Sequence, residues 1–163
     1  MGGALDQSMV EHSADVLVYS SEPLSEDLEV IGPVTVTLYA SSSAPDTDFT
    51  AKLVDAGPCG FARNLTDGII RARVRESPSE PKLMVAGKVY EFKIDLWATA
   101  NVFRAGHRVR LEVSSSNFPR FDRNPNTGHE LFTDAEMRPA LQNVMHEQSF
   151  ASYLSLPVMP RRR

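Results

Sequence analysis

The stretch from Gly106 to Gly128 reads GHRVRLEVSSSNFPRFDRNPNTG and changes character halfway. In its first half Val109, Leu111 and Val113 point one way and Arg108, Arg110 and Glu112 the other, the period-2 pattern of a strand with one buried face. After Val113 come Ser114, Ser115 and Ser116, then Asn117, Pro119, Asn124, Pro125, Asn126 and Gly128. That density of turn formers ends the strand and demands a long irregular excursion. Phe118 and Phe121 ride on it. Both rings do not rest comfortably in water, so the loop is expected to fold back on the sheet or dock on another surface. With Pro119 and Arg120 between them, one ring is expected to pack inward and the other to be presented outward.

The same alternation recurs along the chain. Asp15–Ser20 is a short β-rich run. Val34, Val36, Leu38 and Ala40 alternate with Thr35, Thr37 and Tyr39, behind a Gly32–Pro33 pair that suggests a bulge or a change of direction. Phe49, Ala51 and Leu53 alternate with Thr50, Lys52 and Val54; the preceding turn carries Asp46 and Asp48, read as local backbone acceptors and not as calcium ligands. Gly57–Gly68 is a hairpin or wide connection. Ile70, Ala72 and Val74 then alternate with Arg71, Arg73 and Arg75, which puts three arginines on one strand face, paired with acids such as Glu91 and Asp95.

Tyr90, Phe92, Ile94 and Leu96 alternate with Glu91, Lys93, Asp95 and Trp97, so Trp97 falls on the polar side. Thr133–Glu136 has capping-box form, but Pro139 limits any helix to about a turn. Asn143–Glu147 and Tyr153–Val158 close the chain as short strands. Roughly eight or nine strands without a sustained helical period predict an all-β, mostly antiparallel sandwich or jelly roll.

The run SSSNFPRFDRN after GHRVRLEV resembles the signature of the C-terminal domain of the Xaa-Pro dipeptidyl-peptidase and cocaine esterase-like serine hydrolases. APDTDFTAKL at Ala44–Leu53, DGIIRARVR at Asp67–Arg75, AGKVYEFKIDL at Ala86–Leu96 and LSLPVMP at Leu154–Pro160 follow in that domain's order. The resemblance implies a jelly-roll β-sandwich of galactose-binding-like type over residues 15–160, with 1–14 a linker or arm and 161–163 a basic tail. It implies a non-catalytic domain that docks on an α/β-hydrolase domain, in cis in a longer parent or in trans, and shapes its substrate cleft. The residues expected to dock are Asn117, Phe118, Pro119, Arg120 and Phe121, with Trp97 as a secondary candidate. In the family the position of Cys59 is commonly acidic, so a polar role there does not carry over. A free-standing ligand- or carbohydrate-binding module is the alternative, since jelly rolls also serve that purpose and an exposed Trp97 could stack on a sugar.

Composition narrows the chemistry. With 163 residues, 42% hydrophobic and 23% charged, the chain is of one-domain size. No apolar run approaches the roughly 18 residues of a membrane span, and a formal net charge of -4 gives no reason to expect nucleic acid. The single cysteine, Cys59, allows no intrachain disulfide; together with the lack of a signal-peptide pattern at the start, this sets cytoplasmic localisation as the expectation. No G-x-S-x-G occurs, so the nucleophile elbow of an α/β-hydrolase is missing and no catalytic residue is assigned. His12, His107, His129 and His146 form no H-E-x-x-H pair, and neither phosphate-binding glycine motif is present, so no metal and no cofactor is expected. Association with a second copy is left open.

Overall fold

The computed structural model of the chain describes residues 5–130 and 135–160; Thr133 and Asp134 of the capping box and the Arg161–Arg163 tail lie outside them. Eight strands occur among the described residues: β1 Leu17–Ser20, β2 Leu28–Ser42, β3 Asp48–Ala56, β4 Ala62–Arg71, β5 Tyr90–Phe103, β6 Arg108–Ser114, β7 Gln142–Val144 and β8 Tyr153–Ser155. One sheet runs β1-β6-β3-β4. The other runs β5-β2-β7, with β8 also paired to β2. Every pairing is antiparallel. The chain is an all-β antiparallel sandwich, as the alternations predict.

Burial follows the period-2 pattern. Val34, Val36, Leu38 and Ala40 of β2, Phe49, Ala51 and Leu53 of β3, and Phe92, Ile94 and Leu96 of β5 meet in one core. The Phe49 and Phe92 rings lie 4.7 Å apart at 46°, and each fully buried side chain of this size contributes about 1.5–3 kcal/mol. The register of β2 on β5 slips between Pro33 and Thr35, where the Gly32–Pro33 pair marked a break. The extra residue sits on β5: Asp95 faces Thr35 and Ala98 faces Pro33, so Leu96 and Trp97 together oppose Val34. This bulge reverses the phase of β5. Before it the even-numbered residues point inward; after it Asn101 and Phe103 do.

Two expectations need correction. β4 already begins at Ala62, because the turn before it is short: Gly57 N–H donates to Phe61 O at 2.9 Å and Gly60 takes φ +87°. β4 then ends at Arg71 and the chain turns through Ala72–Val74. Arg71, Arg73 and Arg75 therefore share no strand face. Arg71 pairs with Asp48 and Arg73 with Asp46, while Arg75 lies over the Tyr90 ring at 4.3 Å and donates to two main-chain oxygens. Glu91 instead accepts from the Tyr39 hydroxyl at 2.8 Å, and Asp95 accepts from the Trp97 N–H at 2.7 Å. Long-range pairing of β3 with β4 brings the Asp46–Asp48 turn beside these arginines, a proximity the one-dimensional pattern lacks.

β3 is buried on both faces, Thr50 and Val54 included, because residues 5–16 cross its outer side. Gln7 N–H donates to Ala62 O at 2.8 Å, Asp6 accepts from Ala62 N–H at 3.0 Å, and Lys52 donates to Gln7 Oε1 at 2.8 Å.

Candidate domain-docking surface

The long loop after β6 is tied down from beneath by buried polar side chains. Asp46 and Asp48, 0% and 1% exposed, hold Arg73 and Arg71 and leave one lone pair each toward Asn124, whose Nδ2 donates to both at 3.0 and 2.9 Å. Asp46 also accepts the Arg73 backbone N–H at 2.9 Å. Asp48 grips Arg71 in a two-point contact of 2.9 and 3.0 Å, which raises that guanidinium above its ordinary value. Both carboxylates thus serve groups far along the chain, Asp46 including one main-chain N–H and Asp48 side chains, which corrects the expectation of local backbone acceptors.

A second anchor sits on β4. Asp67, buried, accepts from Asn117 Nδ2 at 2.7 Å and from Arg120 Nε at 3.0 Å. Between these two residues the chain closes a tight turn, with the N–H groups of Arg120 and Phe121 both returning to Asn117 O at 3.0 and 3.2 Å. Phe118 is thereby held out, 56% exposed, with the Arg123 guanidinium 4.4 Å above its ring. Pro119 is exposed with it. Phe121 is half-buried, with Arg120 5.6 Å over its ring.

Trp97 reaches the same region from β5. Its φ of +64° is left-handed, a conformation that a bulky residue seldom adopts, and the Asp95 carboxylate holds its N–H in place. The ring is 69% exposed. It rims a concavity of about 670 Å³ over the seam between β4 and β5, whose lining includes Arg63, Thr66, Asp67, Asn101 and Arg120. The Thr66 hydroxyl donates to Leu96 O across that seam. Of the six residues expected to dock, Trp97 and Arg120 share this concavity, Asn117 braces it through Asp67, Phe118 and Pro119 stand on the adjoining loop tip, and Phe121 is half-buried.

The sequence reading passed over Asp67 and Asn124, the two anchors. A signal existed for the other pairings: Asp46 and Asp48 match Arg71 and Arg73 in two-residue spacing, as ion pairs between antiparallel segments require. Neighbouring this surface, and sharing Arg63 and Asn101 with it, a second concavity of about 690 Å³ contains Asp55, Cys59 and His107. His107 Nδ1 lies 2.7 Å from Asp55 Oδ1, and no serine lines that hollow. Among the described residues no three His, Cys, Asp or Glu side chains converge to hold a metal ion.

Comparison with known proteins decides the family. Residues 4–155 match the X-Pro dipeptidyl-peptidase C-terminal non-catalytic domain. This chain belongs to that family. As a member it is 47% identical over 161 residues to cocaine esterase of Rhodococcus sp. (strain MB1 Bresler), a match that takes in 98% of this chain and 28% of the esterase. A putative serine esterase of Mycobacterium tuberculosis is 30% identical over 125 residues, 66% of this chain and 20% of that protein. In three dimensions the domain matches an alpha-amino acid ester hydrolase with TM-score 0.91 and 36% identity, covering 96% of this chain and 27% of that one. An aminopeptidase from a Thaumarchaeota archaeon matches with TM-score 0.92 and 32% identity, covering 96% and 28%. The domain therefore spans less than a third of each of these relatives.

Proposed function

We propose that this domain docks on an α/β-hydrolase domain and walls one side of its substrate cleft. The carrying observation is a pair of exposed aromatic rings, Trp97 and Phe118, on backbone fixed by Asp95 and Asp67. Rigid aromatic anchors beside an arginine are the composition of binding hot spots, which lose about 2 kcal/mol or more on truncation. Arg120 is already oriented by Asp67, so docking adds little ordering of its long side chain. The hydrolysis itself, whether of peptide or ester, belongs to the partner domain. By itself the chain is expected to hydrolyse neither proline-type dipeptide substrates nor aryl esters above background. Stoichiometric fluorophosphonate labelling abolished by one serine substitution would contradict that.

Docking is tested by titrating this chain calorimetrically into the separately produced α/β-hydrolase portion of a relative. Saturable binding is expected, weakened about 30-fold or more by Trp97→Gly or by Phe118→Ala. Glycine suits Trp97 because it accepts the left-handed φ without strain, so lost affinity reports the ring and not misfolding. Absence of saturable binding, or unchanged affinity in both variants, would overturn the proposal. The carbohydrate-binding alternative calls for a second ring coplanar with Trp97, and among the described residues no other aromatic side chain lines that concavity.

A further inference from the structure

The arm formed by residues 5–16 roofs a polar cavity of about 200 Å³ whose lining includes Val10, Asp15, Thr50, Lys52, Glu112 and Ser114. Glu112 projects from β6 into the contact between arm and sheet and is 3% exposed. Neither of its carboxylate oxygens has a hydrogen-bond donor, and Glu11 Oε1, contributed by the arm, is likewise buried without one. The cations nearby are engaged elsewhere. Arg110, on the same strand, donates to Glu11 Oε2 at 2.6 Å. Lys52, opposite Glu112 on β3, donates to Gln7 and stays 3.9 Å from Glu112. Across the next pairing Lys52 faces Asp67 of β4, and on the other side Glu112 faces uncharged Val18 of β1. Asp15, from the arm, adds another acid to the cavity lining.

Glu11 keeps one donor, from Arg110 to Oε2, but its Oε1 and both Glu112 oxygens have none, and an ionised Glu112 buried beside Glu11 is repelled and leaves its acceptors unsatisfied. A proton on Glu112 supplies a donor and removes one charge. We propose that the Glu112 carboxyl holds a proton while the arm is closed and that this proton latches the arm onto the outer face of the β1-β6-β3-β4 sheet, so that alkalinisation loosens the arm. Burial foremost pushes the Glu112 carboxyl up to about 7, with Glu11 adding to the rise and Lys52 and Arg110 opposing it. When the arm lifts, Glu112 returns toward the ordinary glutamate value of 4.5.

The closed arm thus binds the proton more tightly than the open arm. Its advantage is fully present below the ordinary glutamate value, falls as pH rises toward neutrality, and is gone above it. With a separation between 4.5 and about 7 and a factor of ten per unit, the ratio of open to closed arm changes by up to about 300-fold.

The test is hydrogen–deuterium exchange of the peptide spanning residues 5–16 between pH 5 and pH 8, corrected for intrinsic exchange, on the full chain. The open fraction is expected to rise with pH in the wild type and to stay flat in Glu112→Gln, which keeps the shape and cannot ionise. A carbon-13 carboxyl titration of the wild-type Glu112 gives a second readout should that variant fold poorly. Corrected protection independent of pH, the same pH dependence in Glu112→Gln, or a Glu112 carboxyl that titrates like an ordinary glutamate would each overturn the latch.

Discussion

Phe118 and Phe121 are three positions apart and live in different environments, because the Asn117 turn between them rotates the chain through its two returning N–H groups. Truncating an exposed ring removes little that folding has gained, whereas truncating an inward ring leaves a void. In chemical denaturation of the isolated chain, Phe118→Ala is expected to change stability by less than about 0.5 kcal/mol. Phe121→Ala, at a half-buried position, should lose about 1–3 kcal/mol, less than a fully buried phenylalanine would. Equal large losses would mean that both rings serve the loop's own packing, and would remove Phe118 from the docking surface. Trp97 makes the complementary point: a left-handed tryptophan costs about 1–2 kcal/mol of backbone strain, yet it packs into no core cluster here. The left-handed conformation falls where the β5 bulge sets two residues against Val34, and the ring faces outward there.

At the scale of elements, the loop after β6 behaves as part of the sandwich and not as a tether, since its anchors are the buried carboxylates Asp46 and Asp48 at the start of β3 and Asp67 of β4. Removing Asp46 would leave the mostly buried Arg73 guanidinium without its carboxylate partner, with, among the described residues, only His129 O still accepting from it, and would leave one hydrogen of buried Asn124 unpaired. Breaking a buried pair on one side costs about 3–5 kcal/mol. Asp46→Ala should therefore destabilise the chain by that amount and expose the segment around residues 115–130 to limited proteolysis at temperatures where the wild type resists. A variant that resisted cleavage as well as the wild type would show that Asn124 and Asp67 hold the loop unaided.

Across the whole molecule the two sheets close on each other where the edge strands β4 and β5 meet, and Gly68 permits that closure. A β-carbon there would stand 2.0 Å from Asp95 O and 2.9 Å from its carbonyl carbon, a backbone clash that no rotamer relieves. Gly68→Ala must spread the seam beneath Trp97, with an expected loss of about 2–3 kcal/mol. It should also reduce docking affinity more than its position away from the surface would suggest. A denaturation midpoint matching the wild type would mean that the sheets are not held as closely as the seam implies.

What the sequence by itself determined is the set of inward faces. Val34, Val36, Leu38, Phe92 and Ile94 are buried because side chains alternate along any strand and a folded sandwich must bury one alternation. The ordered motifs from Ala44 to Pro160 carried the family, and the turn-rich run after Val113 carried the long loop. Tertiary structure alone decided the rest, since it depends on which strands become neighbours. Arg71 and Arg73 meet Asp48 and Asp46 only because β3 and β4 pair. Asp67 becomes the loop's anchor only because Asn117 and Arg120 return over β4. Trp97 points outward as its alternation predicts, but the bulge that turns Asn101 and Phe103 inward after it is invisible to local alternation, and Glu112, an ordinary solvent-face residue by its periodicity, is buried because the arm crosses back over its sheet. Periodicity is a property of a few consecutive residues; the company a side chain keeps across the sandwich is a property of the closed fold.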